Sequence, residues 1–98
     1  MSSYITENNH RRCVKLRGLP FQASQHDIVA FFQDSSLHGC FGYLSISDVV
    51  IDQKLGRPTG YALVFLQNEL DAQRAIINLN KKHIGSRYID VLPVFLKQ

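Results

Sequence analysis

The residue types that most often carry catalysis or bind metals are scattered in this chain. Cys13 and Cys40 lie far apart, and neither has a Cys or His partner at metal-site spacing. The histidines, which include no i, i+4 ligand pair, are His10, His26, His38 and His83. We find no paired carboxylate, no activated nucleophile and no His with an obvious orienting acid. The sequence therefore predicts no metal, no cofactor and no enzymatic activity, and it favours two free thiols over a disulfide.

The composition is that of one small folded domain. The chain has 98 residues, of which 45% are hydrophobic and 19% are charged. The formal charge of +3 suits a polyanionic partner, although many soluble domains carry a similar surplus. The polar start of the chain does not resemble a signal peptide, and no apolar run approaches the ~20 residues of a membrane span. We therefore expect a soluble, intracellular protein without membrane contact.

The first half of the chain predicts a strand followed by a helix. Residues 1–11 are polar and show no periodicity, which indicates a flexible lead-in. Residues 13–17 alternate, with Val14 and Leu16 on one face, and this predicts a strand. Ser24 and Asp27 are spaced as a capping box, so a helix is expected over 25–33. The apolar stripe of that helix consists of Ile28, Phe31 and Phe32.

The second half predicts two strands, a helix and a last strand. Strands are expected over 46–52, 60–66 and 88–92, with turn chemistry over 53–59 and an irregular segment over 34–42. A helix over 69–79 is favoured by Asn68, a good N-cap, and by acidic residues in its first turn. The order β-α-β-β-α-β predicts an α+β, ferredoxin-like sandwich. In it, a four-stranded antiparallel sheet, with 13–17 beside 60–66, carries two helices on one face.

One face of this sheet is expected to carry an unusual apolar row. Tyr61, Leu63 and Phe65 alternate in the strand 60–66 and should share the face opposite the helices. An apolar row exposed to solvent would need an occupant. We considered RNA stacking on Tyr61, a protein partner, and the chain's own tail, residues 94–98, packing around Phe95. We expect the tail.

Three segments together resemble the RNA recognition motif (RRM), and more narrowly the quasi-RRM of the heterogeneous nuclear ribonucleoproteins F and H. These segments are Val14-Lys15-Leu16-Arg17-Gly18-Leu19-Pro20-Phe21, Gly56-Arg57-Pro58-Thr59-Gly60-Tyr61-Ala62 and Ile84-Gly85-Ser86-Arg87-Tyr88-Ile89. In an ordinary RRM the first strand offers an aromatic at the position of Lys15. Thr59 and Leu63 also depart from the ordinary signature, because a basic residue and a second base-stacking aromatic are expected there.

The resemblance implies a domain over residues 12–93 that binds single-stranded, G-rich RNA with loops at one sheet edge. The implied loop site consists of Arg17, Phe21, Arg57, Lys81, Arg87 and Tyr88, with Lys15 and Tyr61 of the sheet in a secondary role. Arginine suits this use because its planar fork fits the O6/N7 edge of guanine, and aromatic rings stack on bases. The resemblance further implies a monomer in pre-mRNA splicing or mRNA processing, located in the nucleus with shuttling as an option.

Plain structural roles and other functions remain open at this stage. Phe21 could belong to the core, Tyr88 could serve sheet packing, and Arg17 or Arg57 could be surface charges without a ligand. The second function is a protein-interaction module that uses the sheet face or the helices. An acyl-phosphate hydrolase, which shares the order of elements, is a distant third because no catalytic constellation supports it.

Overall fold

A four-stranded antiparallel sheet with two helices forms the framework of the chain. The computed structural model describes residues 2–33 and 41–96. Its strands and helices are β1 Cys13–Arg17, α1 Gln25–Phe32, β2 Val49–Lys54, β3 Arg57–Phe65, α2 Glu69–Leu79, β4 His83–Ile84, β5 Arg87–Tyr88 and β6 Asp90–Pro93. The main sheet has the order β2-β3-β1-β6, and every neighbouring pair is antiparallel. The predicted fold class, including the central pairing of 13–17 with 60–66, is confirmed.

Helix α1 begins where the capping box predicts. The backbone N–H of Asp27 donates to Ser24 Oγ at 3.1 Å, and the N–H of Ser24 donates to Asp27 Oδ2 at 2.9 Å. These two bonds satisfy donors that the first helical turn leaves without a partner. The helix ends at Phe32, one residue before the predicted end, and buries the three predicted apolar residues.

Helix α2 has the predicted bounds. Asn68 Oδ1 accepts from the N–H of Asp71 at 2.8 Å, which caps the first turn. The helix buries Ala72, Ala75 and Leu79, while Ile76 of the predicted stripe is only half-buried. Asp71 is also buried, and its carboxylate accepts from the N–H of Gly42 at 3.0 Å. This bond holds the chain that enters β2 against the second helix.

The core lies between the helices and one face of the sheet. Val14 and Leu16 of β1 are fully buried, and their register partners in β3, Val64 and Ala62, are fully buried as well. The period-2 alternation of these strands thus places the apolar residues on the helix side, as predicted. Lys15 and Arg17 consequently lie on the opposite face.

The hairpin between β2 and β3 is tighter than predicted. β2 begins at Val49, because Ile46–Asp48 forms a 3-10 helix that Ser45 and Asp48 cap. β3 begins at Arg57, within the predicted 53–59 turn, and pairs there with Lys54. Leu55 and Gly56 alone connect the strands, with φ of 53° and 77°. Two positive φ angles are what a two-residue hairpin turn requires, so most of the predicted loop is strand.

The predicted strand 88–92 is divided in two. Arg87 and Tyr88 pair with Ile84 and His83 in a separate small hairpin, and only Asp90–Pro93 joins the main sheet. The division occurs at Ile89, which is fully buried and whose N–H donates to the carbonyl of Lys82 at 2.8 Å. This small hairpin has no counterpart in our prediction, because two-residue strands produce no readable periodicity.

The apolar row predicted on the open sheet face is buried at its centre, but Phe95 does not cover it. Leu63 is only 3% exposed, although it lies on the face opposite the helices, and Tyr61 and Phe65 are half-buried. Leu63 lies between Lys15 and Val50 in the register, and both of these side chains are half-buried too. Phe95, which was expected to cover the row, is 81% exposed. The side chain of Phe95 therefore does not shield this face.

Several sequence predictions concern other parts of the chain. Cys13 is a buried free thiol, and burial raises its pKa to about 12; Cys40 and most of the irregular segment 34–42 lie outside the described residues. The predicted lead-in contains 3-10 helices at Ser2–Tyr4 and His10–Arg12, the second of which contacts α2. Its mobility stays a prediction. None of the described helices is long and apolar enough to span a bilayer.

Candidate nucleic-acid interface

A cleft opens at the sheet edge where β1 ends and β6 begins. It has a volume of about 400 Å³. Its lining consists of Arg17, Gly18, Ser86, Arg87, Tyr88 and Asp90. The antiparallel register places Arg17 directly beside Asp90, and the β4–β5 hairpin supplies the opposite wall. Three of the predicted site residues, Arg17, Arg87 and Tyr88, therefore meet in one place.

The carboxylate of Asp90 is at the centre of the charged groups. Arg17 Nε donates to Asp90 Oδ2 at 2.9 Å, and Arg17 Nη2 lies 2.8 Å from the same oxygen. Lys81 Nζ donates to the other oxygen, Oδ1. The Asp90 side chain is 14% exposed, whereas those of Arg17 and Lys81 are 51% and 59% exposed. The carboxylate is thus covered and the two cations face solvent.

The pKa values of this group follow from the same contacts. Hydrogen bonds from Lys81 and then Arg17 lower the pKa of Asp90 below its usual range. The hydrogen bond to Asp90, followed by the charge of that carboxylate, raises the pKa of Arg17. Asp90 and Arg17 are therefore both charged at neutral pH, and with Lys81 and Arg87 the cleft has more basic than acidic side chains.

Lys81 is held at the cleft by the backbone around it. Its φ of 71° is left-handed, which turns the chain between α2 and β4. The N–H of Lys81 donates to the carbonyl of Ile89 at 2.7 Å, and Asn80 Oδ1 accepts from the N–H of Val91 at 2.9 Å. These bonds tie the end of α2 to the start of β6. A residue that is distant in sequence from Arg17 is thereby placed beside the same carboxylate.

Tyr88 offers a ring at the rim of the cleft. Its side chain is 58% exposed, and Lys81 Nζ lies 5.0 Å from the ring centroid. The His83 ring, across the hairpin, meets it edge-on with centroids 6.3 Å apart. Tyr88 does not belong to the main sheet, so its predicted structural alternative, sheet packing, does not apply.

Gly18 permits the close approach of β1 to the hairpin. Its φ is 95°, and a Cβ at this position would lie 3.2 Å from the carbonyl oxygen of Tyr88. The N–H groups of Gly18 and Leu19 both donate to the carbonyl of Gly60 at 3.0 Å. The loop after β1 is thus fastened to β3, and no larger residue fits without strain.

Three of the predicted loop residues do not line the cleft, although one of them, Lys81, contacts Asp90 in its lining. Phe21 is 72% exposed in the loop after β1, which excludes the core role considered for it. Arg57 is exposed at the tip of the β2–β3 hairpin. Tyr61, opposite Arg17, is four residues further along β3, so Arg57 is roughly 13 Å from that point. The structure therefore separates Arg57 from the other arginines.

The aromatic side chains of the open sheet face already have cationic neighbours. Lys15 Nζ lies 4.9 Å from the Tyr61 ring centroid, and the Arg12 guanidinium lies 5.8 Å from that of Phe65. Arg12 Nη1 also donates to the carbonyl of Leu66 at 2.9 Å. Both predicted sheet residues, Lys15 and Tyr61, thus form one cation–π pair. A base that stacked on the Lys15 side of this ring would have to displace the ammonium group.

Sequence reasoning missed Asp90, which organises the cleft, and His83. A signal for Asp90 existed, since aspartate is depleted in strands and this one occurs within a predicted strand. Its partners Arg17 and Lys81 are 73 and 9 residues away, so only the folded structure reveals these contacts. For His83 we find no sequence signal. In the described part of the chain, no three His, Cys, Asp or Glu residues come together as a metal site would require.

Several known proteins are similar to this chain in sequence. Oligouridylate-binding protein 1 of Nicotiana plumbaginifolia is 48% identical over 59 residues, covering 57% of this chain and 14% of that protein. Human G-rich sequence factor 1 is 35% identical over 82 residues (82% and 15%). Heterogeneous nuclear ribonucleoprotein H2 of Mus musculus is 32% identical over 87 residues (88% and 18%). The chain thus spans less than a fifth of each of these relatives.

Two solved structures and one family model are also similar to this chain. The Glorund qRRM2 domain superposes with a TM-score of 0.67 at 28% identity, covering 86% of this chain and 89% of that one. The human G-rich RNA sequence binding factor 1 superposes with a TM-score of 0.70 (85% and 79% covered), and its 22% identity speaks to the fold alone. The family model described as RRM domain matches residues 14–95. The chain belongs to the RRM family, and its resemblance to the quasi-RRM proteins of the heterogeneous nuclear ribonucleoprotein H type is confirmed.

Proposed function

We propose that this domain binds single-stranded RNA through the cleft between β1, the β4–β5 hairpin and β6. The proposal rests on the rim of the cleft. There the exposed side chains of Arg17, Lys81 and Arg87 surround the ring of Tyr88, which is 58% exposed. Cations pair with phosphates or base edges, and an exposed ring stacks on an unpaired base. Phe21, exposed in the loop after β1, extends the stacking surface.

We propose G-rich RNA as the preferred ligand. Arginine forks match the O6/N7 edge of guanine better than any edge of uracil or adenine. One relative, G-rich sequence factor 1, has a name that refers to G-rich sequences, whereas the name of another refers to oligouridylate. A comparison of oligonucleotides therefore has to include U-rich strands.

Loops rather than the open sheet face are proposed as the main contact. The centre of that face is the buried Leu63, and Lys15 already occupies one side of the Tyr61 ring. An ordinary RRM stacks bases on aromatics of its central strands, and this sheet offers fewer free rings for that purpose. Lys15 and Tyr61 keep the secondary role implied by the resemblance.

The wider setting belongs to the same proposal. By analogy with a relative named as a heterogeneous nuclear ribonucleoprotein, we propose a role in pre-mRNA splicing or mRNA processing in the nucleus, with shuttling as an option. We further propose that residues 12–93 form the binding domain, as a monomer without enzymatic activity. Residues 1–11 and 94–98 are proposed as a lead-in and a tail.

A titration followed by NMR tests the proposal. Labelled protein is titrated with G-rich, A-rich and U-rich single strands of equal length at two salt concentrations. We expect amide shifts at residues 17–18 and 81–90 with the G-rich strand, and an affinity that falls as salt rises. Arg17→Ala should weaken this binding more than Tyr61→Ala does. Shifts centred on residues 61–65 would place RNA on the sheet, and no binding at low salt would refute the proposal.

A second candidate function is protein interaction through α2. Leu70 and Ile77 are 53% and 77% exposed, and their i, i+7 spacing places them on one face of the helix. This pair favours the helical surface over the sheet for a protein partner. Loss of partner binding in a Leu70→Ser, Ile77→Ser variant whose RNA affinity is unchanged would support it.

A further inference from the structure

The charged cluster in the cleft has an arrangement that simple charge attraction does not explain. An acidic residue at the centre of an RNA site repels phosphates, yet Asp90 lies between Arg17 and Lys81 and contacts both. The carboxylate is 14% exposed, so a ligand in the cleft meets the cations before it meets the acid. Each carboxylate oxygen serves a different cation, Oδ2 for Arg17 and Oδ1 for Lys81. Asp90 thus holds both cationic side chains in place.

The contact with Asp90 also decides which edge of Arg17 is available. Nε and Nη2 both lie within hydrogen-bonding distance of Oδ2, so this edge of the guanidinium faces Asp90. Arginine has five N–H donors in a rigid plane, so the donors on the Nη1 side point away from the edge that contacts Asp90. Besides Asp90, Arg17 has a weaker interaction with the side chain of Tyr61, its neighbour in β3. The Arg17 side chain is 51% exposed, so a ligand in the cleft can reach the guanidinium and compete with Tyr61 for the second edge.

We propose that Asp90 is a positioning residue for guanine recognition: it holds Arg17 by one edge so that the other edge forks onto O6 and N7 of a guanine. This inference rests on the proposed function. A fixed fork loses less side-chain freedom on binding than a mobile one, so the carboxylate increases affinity although it repels the RNA backbone. Lys81, held by the same carboxylate and lying over Tyr88, is positioned in the same way.

The proposal and simple electrostatics predict opposite changes in RNA affinity when the charge of Asp90 is removed. Removing a negative charge beside an RNA site should tighten binding if Coulomb attraction dominates. If Asp90 positions Arg17, Asp90→Asn should instead weaken binding to a G-rich strand, by roughly five-fold or more, as expected when a specific base contact is lost. Binding to a U-rich strand, which has no O6/N7 edge, should change less, so the preference for G-rich RNA should fall.

A matched control distinguishes the loss of a negative charge at Asp90 from the same loss elsewhere in the domain. Glu69→Gln makes the same change in net charge at the start of α2, while Lys81 follows the end of that helix. Eleven helical residues span about 16 Å, which exceeds the ~10 Å Debye length at 0.1 M salt. Glu69→Gln should therefore leave both affinities nearly unchanged.

The decisive experiment changes the ligand as well as the protein. Affinities of the wild type and of Asp90→Asn are measured for a G-rich strand and for the same strand with 7-deazaguanine, which lacks the N7 acceptor. The wild type should lose affinity on this replacement. Asp90→Asn should lose clearly less, because its Arg17 is no longer held in the position that contacts O6 and N7. Tighter binding by Asp90→Asn, or equal losses in both proteins, would overturn the proposal.

A measurement on the wild type covers the case in which Asp90→Asn does not fold. The Arg17 Nε–H group should give a protected NMR resonance that persists when the G-rich strand is bound, since the contact with Asp90 is kept. Its disappearance on binding would mean that RNA displaces Asp90, and would overturn the proposal. A wild type that binds no strand would refute the proposed function itself, whereas a wild type that binds while Asp90→Asn binds more tightly refutes only the role of Asp90.

Discussion

Gly18→Ala should destabilise the fold and displace the β4–β5 hairpin that forms one wall of the cleft. Gly18 has φ of 95°, which costs a residue with a Cβ about 1–3 kcal/mol. The new Cβ would also lie 3.2 Å from the backbone oxygen of Tyr88, so the hairpin would have to move away. We expect a total loss of unfolding free energy of about 2–3 kcal/mol, because the strain and the close contact add.

Gly85→Ala is the matched control for this substitution. Gly85 has φ of 61°, and no atom lies within 4 Å of the Cβ it would gain. Its cost is therefore the left-handed backbone alone, about 1 kcal/mol. In a domain of this size 1 kcal/mol lowers Tm by about 4–8 °C, so Gly18→Ala should melt at least several degrees below Gly85→Ala.

The assay combines melting with RNA binding. Thermal unfolding followed by circular dichroism gives both Tm values, and a titration at a temperature where both variants are folded gives the affinity for a G-rich strand. Gly18→Ala should also bind less well than Gly85→Ala, because the shifted hairpin carries Arg87 and Tyr88. Equal Tm values for the two variants would refute the close approach of β1 to Tyr88.

Three further predictions follow from the site and the core. Arg87→Ala should cost about 1–3 kcal/mol of G-rich RNA binding by fluorescence anisotropy, while Arg57→Ala, a matched arginine outside the cleft, should cost less; the reverse order would contradict the placement of the site. The lowered pKa of Asp90 means that its ion pairs stabilise the fold above the ordinary Asp pKa of about 3.9, and that this stability is lost as pH falls through the lower folded value. The free energy of unfolding, measured with urea, should therefore fall more on acidification for the wild type than for Asp90→Asn. Parallel plots of this free energy against pH for the two proteins would contradict the prediction. Burial raises the pKa of Cys13 to about 12, so in a Cys40→Ser variant the native thiol should react with iodoacetamide at pH 9 far more slowly than in urea.

The local signals in the sequence were sufficient for most of the framework. Ser24 with Asp27, and Asn68 before its helix, mark helix starts through bonds that span only three residues. The alternation of 13–17 placed Val14 and Leu16 in the core for a similar reason, since side-chain direction in a strand has period 2. The predicted bounds of β1 and α2 match those of the structure.

The elements that were mispredicted depend on partners far along the chain. The strand predicted over 88–92 is divided because Arg87 and Tyr88 pair with the other side of a small hairpin, while Asp90 pairs with Arg17. The row that contains Leu63 was expected to be covered by the tail around Phe95, since alternation gives the face of a residue but says nothing of what lies beside it. Neither outcome follows from a local pattern.

The order of elements, the helix caps and the core faces of the strands can be read from the sequence. Three short segments also carry the resemblance to the quasi-RRM. The sequence also pointed to Arg17, Lys81, Arg87 and Tyr88 as members of one site. That these residues lie around Asp90, and that Arg57 does not line the same cleft, becomes visible only in the folded chain. The physical reason is range: caps and periodicity act over a few residues, whereas the charged cluster exists only after β1, α2 and β6 have come together.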